Sequence, residues 1–378
     1  MTQLRHARRV GIEEELLLVD GQTLRPVPVS GMVVDGHADE HVLLRGAVLE
    51  SEVKREQIEV VSPPRSTFDE ILQAVTTGRR AADDGARVFG ARAVALATSP
   101  VRCNSHTVPS QRYITMRERF GLTMVEQLTN GFHVHVTIES DEEGVAVLDR
   151  IRPWLPVVLA LSANSPFWWG ADSEYASYRY QAWLRWPTAG AYDRYGSASA
   201  YEATVDRLLQ SGVCLDSGMI YFDARLSSHA PTVEVRIADV CLHPEDAACL
   251  AVLIRALVEA AAAEWRNGTP ADDIPTDLLR LAAWRASRFG VSGQLLHPIR
   301  RRPAAAAACV RALLNHVDDH FSTPEERARV RRGLAGILRY GSGAATQRAA
   351  WAVRGSWVDV VSDALERTRF DEPESTRV

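Results

Sequence analysis

The stretch Val10–Asp20, "VGIEEELLLVD", places three consecutive glutamates inside an apolar run. The apolar residues on both sides predict a buried strand over residues 10–19. A buried carboxylate without a partner costs several kcal/mol, so these glutamates need arginines or metal ions beside them. Because side chains alternate faces along a strand, Glu13 and Glu15 point to one side and Glu14 to the other.

Three later segments show the same alternation: "KREQIEVV", "GFHVHV" and "TVEVRIAD". Each places a polar pair on one face while its neighbours on the other face are Val, Ile or Phe. The pairs are Gln57 and Glu59, His133 and His135, and Glu234 and Arg236. Together the strands predict a sheet with one face lined by Glu, His and Arg.

Carboxylates in this number favour Mg²⁺ or Mn²⁺ over Zn²⁺, and Mg²⁺ commonly bridges carboxylates to nucleotide phosphates. Each motif alone has another interpretation. The Glu13–Glu15 run could be a solvated helix face, the His133/His135 pair a zinc or cupin-like site, and Glu234 with Arg236 a cross-strand ion pair. The shared strand context favours a functional polar face.

The composition excludes several classes of protein. A net charge of −5 over 378 residues gives no reason to expect a nucleic-acid partner. The alanine-rich stretch 251–263 contains Arg255 and Glu259, so we expect no membrane span there, and no signal peptide is evident at the start. Five scattered cysteines without a CxxC motif argue against a disulfide framework or a structural zinc site. We expect a cytoplasmic protein.

Lys54 is the only lysine in the chain, so arginine carries almost all the positive charge. The phosphate-binding lysine motif of P-loop proteins is therefore absent from the sequence. A phosphate clamp in this protein would have to use arginine.

Strand signals dominate the first two thirds of the chain, and helical periodicity dominates from His243 onward. This order predicts an α+β fold around a mostly antiparallel sheet. We expect one domain over residues 1–370 and a polar, disordered tail over 371–378. Helices are predicted at 66–88, 151–163, 244–266, 277–287, 304–316 and 324–340.

The chain also resembles the glutamate–cysteine ligase type 2 family of carboxylate–amine ligases, which is part of the wider glutamine synthetase-like group. The resemblance rests on segments that follow in order along most of the sequence. They are Gly11–Asp20, Glu52–Pro64, Asn130–Val136, Ser162–Gly190, Val233–Asp239 and Ala283–Gly293. The central block, with Ser-Pro-Phe, Tyr-Arg and Trp-Pro-Thr in this order, is the most specific.

The resemblance implies a curved, mostly antiparallel sheet with helices packed on one face and ATP, metals and amino acid on the concave face. It implies two or three Mg²⁺ ions, with Mn²⁺ as a substitute. The implied metal-facing residues are Glu13, Glu15, Glu52, Glu59, His133 and Glu234, with His135 on the same face. Glu14 would lie on the opposite face, paired with an arginine.

The implied reaction is attack of the glutamate γ-carboxylate on ATP, followed by displacement of phosphate from the acyl phosphate by the amine of cysteine or another amine. Arg236 and Glu59 are the predicted catalytic residues. The predicted contacts to ATP or substrate are Arg236, Arg288, Arg185 and Arg179. A metal-dependent hydrolase using the same face is the alternative, and a catalytically silent metal-binding relative is a third. The helical last third could supply a homodimer interface.

Overall fold

The computed structural model describes residues 7–36 and 47–369. The tail predicted over 371–378 lies outside the described residues. The strands are β1 (Val10–Asp20), β2 (Val48–Ser51), β3 (Gln57–Val61), β4 (Ala91–Val94), β5 (Gly131–Thr137), β6 (Phe167–Trp168), β7 (Ala171–Asp172), β8 (Ala224–Leu226), β9 (Thr232–Asp239), β10 (Gln294–Leu296) and β11 (Pro303–Ala305).

Helices occupy most of the remaining described chain. They are α1 (Ser30–Asp35), α2 (Phe68–Val88), α3 (Gln111–Phe120), α4 (Leu122–Glu126), α5 (Asp141–Ile151), α6 (Leu155–Ser162), α7 (Tyr178–Trp183), α8 (Ala198–Gln210), α9 (Pro244–Arg266), α10 (Thr276–Phe289), α11 (Ala306–His316), α12 (Pro324–Tyr340), α13 (Gly343–Arg354) and α14 (Trp357–Thr368). Among the described helices, none is both long and apolar enough to cross a bilayer.

The main sheet has the strand order β2-β3-β1-β5-β9-β8, and β4 pairs with β1 as well. All of its strand pairs are antiparallel, which confirms the predicted α+β class with a mostly antiparallel sheet. Strand β1 is central because its first half pairs with β5 and its last residues pair with β4. Strand β3 lies along the other side of β1.

One face of the sheet is the main hydrophobic core. Ile12, Val134 and Val235 are at most 3% exposed and pack with the helices behind the sheet. Helix α9 lies against β1, β5 and α2, and α6 packs on β9. The period-2 pattern of these strands therefore does what the sequence analysis predicts, since the apolar set is buried and the polar set faces away from the helices.

Several element boundaries differ from the sequence-based expectation. The helix predicted over 151–163 is interrupted, because α5 ends at Ile151 and α6 begins at Leu155. Pro153 and Pro156 explain the break, since proline is tolerated only in the first turn of a helix. Of the strand expected over 91–100, only Ala91–Val94 is formed, and Thr98 adds an isolated antiparallel bridge to Thr129.

Lys54 lies in the connection between β2 and β3 and is 1% exposed. Its Nζ donates to Thr107 Oγ1 and to the Val125 carbonyl, both at 3.3 Å. Burial lowers the pKa of this ammonium to about 8. The only lysine is thus a buried structural residue with partners on two other segments.

Glu14 faces the helices, and Arg79 of α2 is its partner. Arg79 Nη2 lies 2.7 Å from Glu14 Oε1 and its Nε lies 3.0 Å from Glu14 Oε2, with both side chains 1% exposed. The same guanidinium also donates to the carbonyls of Cys241 and Leu242, at 2.6 and 2.9 Å. This bidentate pair confirms the predicted arginine partner of Glu14, and it ties β1 and α2 to the chain leading into α9.

We expect Arg79→Met to lower the free energy of unfolding by ~3–5 kcal/mol, because it leaves a buried carboxylate without its counter-ion. The double variant Glu14→Leu/Arg79→Met should recover part of that loss, since it removes the stranded charge as well. Urea unfolding followed by circular dichroism measures both.

Arg354→Met is the matched control, because it breaks an ion pair with Asp359 in which Arg354 is 72% exposed. It should leave the unfolding midpoint nearly unchanged. An Arg79 variant as stable as this control would show that the buried pair is not an anchor of the fold.

Candidate active site

The strand register gathers the polar residues of the open face into one place. Glu13 lies opposite His133, Glu15 opposite Glu59, and His135 opposite Glu234. Glu52, just beyond β2, joins them. Among the described residues, three groups could each hold a cation, because one ligand atom from each member lies within 4.8 Å of the others. The groups are Glu13/Glu59/His133, Glu13/His135/Glu234 and Glu15/Glu52/Glu59.

These groups contain every residue that the sequence analysis placed in the metal-facing set, including His135. Glu13 and Glu59 each belong to two groups, so the groups form one continuous cluster across β3, β1, β5 and β9. The donors are carboxylate oxygens together with imidazole nitrogens of His133 and His135. Such a donor set fits Mg²⁺ or Mn²⁺ better than a thiolate-preferring metal.

The two histidines present Nε2 atoms to the carboxylates. His133 Nδ1 lies 3.1 Å from Glu13 Oε2, and His135 Nδ1 lies 3.0 Å from Thr232 Oγ1. Among the described residues, neither buried Nε2 atom has a hydrogen-bond partner, although that of His135 lies 3.1 Å from Glu13 Oε1. Burial, followed by the charge of Arg236, lowers the pKa of His133 to about 4, so the ring is neutral at neutral pH. Because the Glu13 carboxylate accepts from Nδ1, the lone pair of the neutral ring is on Nε2. A lone pair facing a carboxylate is stable with a cation between them, so this arrangement fits a metal ion.

The carboxylates destabilise one another's charged forms. Burial, and then the charges of Glu52 and Glu13, raises the pKa of Glu59 well above the ordinary value for a glutamate. Burial followed by the charge of Glu52 raises the pKa of Glu15. Glu13 differs, because hydrogen bonds and charges from the two histidines outweigh its burial and lower its pKa. Added positive charge would therefore stabilise the ionised forms of these carboxylates.

Two arginines hold the far carboxylate of the cluster. Arg225 Nε lies 2.7 Å from Glu234 Oε2, and Arg236 hydrogen-bonds Glu234 Oε1. Burial, followed by the neighbouring charge of Arg225, lowers the pKa of Arg236 to about 10. Arg236 thus lies in the site as predicted. Arg225 was not predicted, because its strand β8 has only three residues and shows no alternation, and only the pairing of β8 with β9 brings it to Glu234.

A cavity of about 420 Å³ lies over this cluster and runs along the strand direction. We call the part near the start of β1 and β9 the basic end, and it is lined by Arg9, Pro64, Ser227 and His229. We call the opposite part the aromatic end, and it is lined by Tyr113, Met116, Trp183, Trp186 and Tyr221. The cavity therefore joins two chemically different regions across a floor of carboxylates.

The other predicted arginines do not line this cavity. Arg179 is 2% exposed, and its Nη1 lies 3.8 Å from Asp239 Oδ1. Its guanidinium packs so closely on Gly131 that a Cβ there would overlap it. Arg185 pairs with Glu126 at 2.5 Å, and Arg288 pairs with Glu174 at 3.0 Å. The predicted contacts of these three arginines to ATP or substrate stay predictions.

Solved structures share this fold. A glutamate–cysteine ligase from Francisella tularensis, in complex with AMP, superposes with a TM-score of 0.67 at 12% identity, covering 98% of this chain and 91% of that one. A bifunctional glutathione synthetase from Pasteurella multocida gives a TM-score of 0.67 at 13% identity, covering 97% of this chain and 53% of that one.

Several relatives have much higher sequence identity to this chain than these solved structures do. A Paenarthrobacter aurescens protein named "Putative glutamate--cysteine ligase 2-1" is 52% identical over 96% of this chain and 95% of its own length. A protein of the same name from Streptomyces avermitilis is 46% identical over 96% of this chain and 99% of its own length. The profile of glutamate–cysteine ligase family 2 matches residues 9–363. The chain therefore belongs to glutamate–cysteine ligase family 2.

Proposed function

We propose that the protein is an ATP- and Mg²⁺-dependent ligase that joins an amino-acid carboxylate to an amine, with glutamate and cysteine as the nominal pair. The observation that supports this most is the continuous cluster of five glutamates and two histidines on the floor of one cavity. Such a cluster suits a reaction in which a carboxylate and a triphosphate, both anionic, must approach each other. The names of the family and of the relatives support the ligase class.

Metal ions would be held by the three overlapping groups, with Glu13 and Glu59 each shared between two of them. When bound, Mg²⁺ supplies charge neutralisation for the phosphates and the attacking carboxylate. Nucleotide binding is supported by the AMP bound to the Francisella tularensis ligase of the same fold.

The side chains of this protein have distinct tasks in the proposed reaction. Arg236 stabilises negative charge on the transferred phosphoryl group, and Glu234 fixes the direction of its guanidinium. Glu59 would hold cations that neutralise the charge of the two anionic reactants, and the substrate carboxylate attacks the γ-phosphorus. The attack breaks the bond between the β–γ bridging oxygen and the γ-phosphorus and gives an acyl phosphate and ADP. The amine then displaces phosphate and forms the amide, so no covalent bond to the protein is needed.

We expect Mn²⁺ titration, followed by electron paramagnetic resonance, to show two or three bound ions. Glu59→Gln should weaken binding at least about tenfold, because the loss of a direct ligand exceeds the loss of an outer partner. Asp359→Asn is the control, because Asp359 on α14 pairs with Arg354, which is 72% exposed, and does not belong to the carboxylate cluster. Equal Mn²⁺ binding by Glu59→Gln and wild type would exclude this cluster as the metal site.

We expect ADP release from Mg²⁺-ATP to require a particular acid and amine, and to fall about 10²-fold or more in Glu59→Gln and Arg236→Gln. The measurement is a coupled ADP assay over single amino acids and pairs, including glutamate with cysteine. No ADP from any pair, despite nucleotide binding, would remove the glutamate–cysteine assignment. Substrate turnover without ATP would instead identify the hydrolase alternative.

A further inference from the structure

The aromatic end of the cavity is an apolar surface made of closely packed rings. The rings of Trp183 and Tyr221 have centroids 4.8 Å apart, and those of Trp186 and Tyr221 are 5.5 Å apart, all in edge-to-face geometry. Trp186 is 3% exposed and Tyr221 is 7% exposed, so neighbouring residues hold these rings firmly. Met116 adds a flexible thioether to the same wall.

Two polar atoms beside this apolar wall lack a hydrogen-bond partner within the described residues. The indole Nε1 of Trp186 is buried, and within the described residues it has no hydrogen-bond acceptor. Gln127 also lines the cavity, and no donor from the described part of the chain reaches its buried Oε1. Buried polar groups are normally hydrogen-bonded, so an unpaired donor and an unpaired acceptor beside one cavity indicate a ligand with both kinds of atom.

The distribution of charged side chains favours the basic end as the binding site of the nucleotide. Arg9 at the basic end donates to the Pro64 carbonyl and has no carboxylate partner within the described residues. Arg225 and Arg236 are both paired with Glu234, and Arg225 also donates to the Ile220 carbonyl next to Tyr221. At the aromatic end Arg112 is neutralised as well, by Asp216, with bonds of 2.7 and 2.9 Å. A triphosphate is therefore better compensated toward the basic end.

We propose that the aromatic end binds one of the two amino-acid substrates, and that this substrate carries an aromatic or bulky apolar side chain. The inference rests on the proposed ligase function for the identity of the ligand as a substrate. Tyr113 lies close enough to Glu52 and Glu59, and Tyr221 to Glu52, for their charges to interact, so a substrate there would place its polar atoms at the proposed cation sites and its side chain against the rings. A wall of four aromatic rings far exceeds what the thiol of cysteine can cover.

The first test measures binding of L-phenylalanine, L-tryptophan and L-cysteine by isothermal titration calorimetry, with and without Mg²⁺ and a non-hydrolysable ATP analogue. We expect the aromatic amino acids to bind about tenfold or more tightly than cysteine. Binding of cysteine as tight as that of phenylalanine, or no binding of either aromatic amino acid, would overturn the proposal.

The second test locates the binding. Tyr113→Ala should weaken the aromatic amino acids about tenfold and leave the affinity for the ATP analogue unchanged, and Trp186→Phe should weaken tryptophan and phenylalanine alike without disturbing the fold. Tyr340→Ala is the control, because Tyr340 is 74% exposed on α12. Loss of ATP-analogue affinity in Tyr113→Ala, with amino-acid binding intact, would show that the rings hold adenine instead.

The binding experiments test the aromatic substrate site, and the ADP assay tests the ligase reaction, so the two proposals can fail independently. If aromatic amino acids bind at Tyr113 and no pair releases ADP, the proposed reaction fails while the aromatic binding site stands. If ADP release requires glutamate with cysteine and is unaffected by Tyr113→Ala, the reaction stands and the substrate class proposed here is wrong.

Discussion

Mutual repulsion among buried carboxylates is the constraint on which the structure of this site depends. Glu59 lies within 4.8 Å of Glu13 in one group and of Glu15 and Glu52 in another, and burial strengthens the repulsion among these carboxylates. Such an arrangement is stable only because rigid strands hold the groups and because cations or protons can reduce the charge. The same repulsion favours the binding of small, highly charged cations, as the proposed phosphoryl transfer between two anions would require.

Rigidity comes from strand pairing. Strand β1 supplies Glu13 and Glu15 to the open face, and its Glu14 is held from behind by Arg79. The neighbouring strands place their own polar residues by register, so a slip of one residue would turn the polar residues of a strand toward the core. The apolar faces of the strands and the helices behind them therefore determine the geometry of the ligands, and packing energy pre-organises the site.

Alternation along four strands predicted which polar residues share one face of the sheet, and the order of strand and helix signals predicted the fold class, whereas Glu52 and the metal-binding role of this face were implied by the family resemblance. The alternation succeeded because a two-residue period reports directly which side chains share a face, and because antiparallel neighbours bring those faces together. It could not predict Arg225, whose short strand has no pattern of its own, or the aromatic end, whose rings come from α3, α7 and the loops near them. The importance of Arg179, Arg185 and Arg288 was inferred from resemblance alone, and their ion pairs with Asp239, Glu126 and Glu174 are long-range features that no local pattern shows.

The burial of the only lysine has a consequence for the surface of the protein. Lys54 is 1% exposed and bonded to Thr107 and Val125, so guanidinium groups supply the lasting positive charge of the exposed side chains in the described part of the chain. Guanidinium groups remain protonated at every pH at which proteins are folded, whereas amines do not. Reagents and modifying enzymes that act on ε-amines, including acetyltransferases and ubiquitin-conjugating systems, find one such group in the sequence, and the fold shields it.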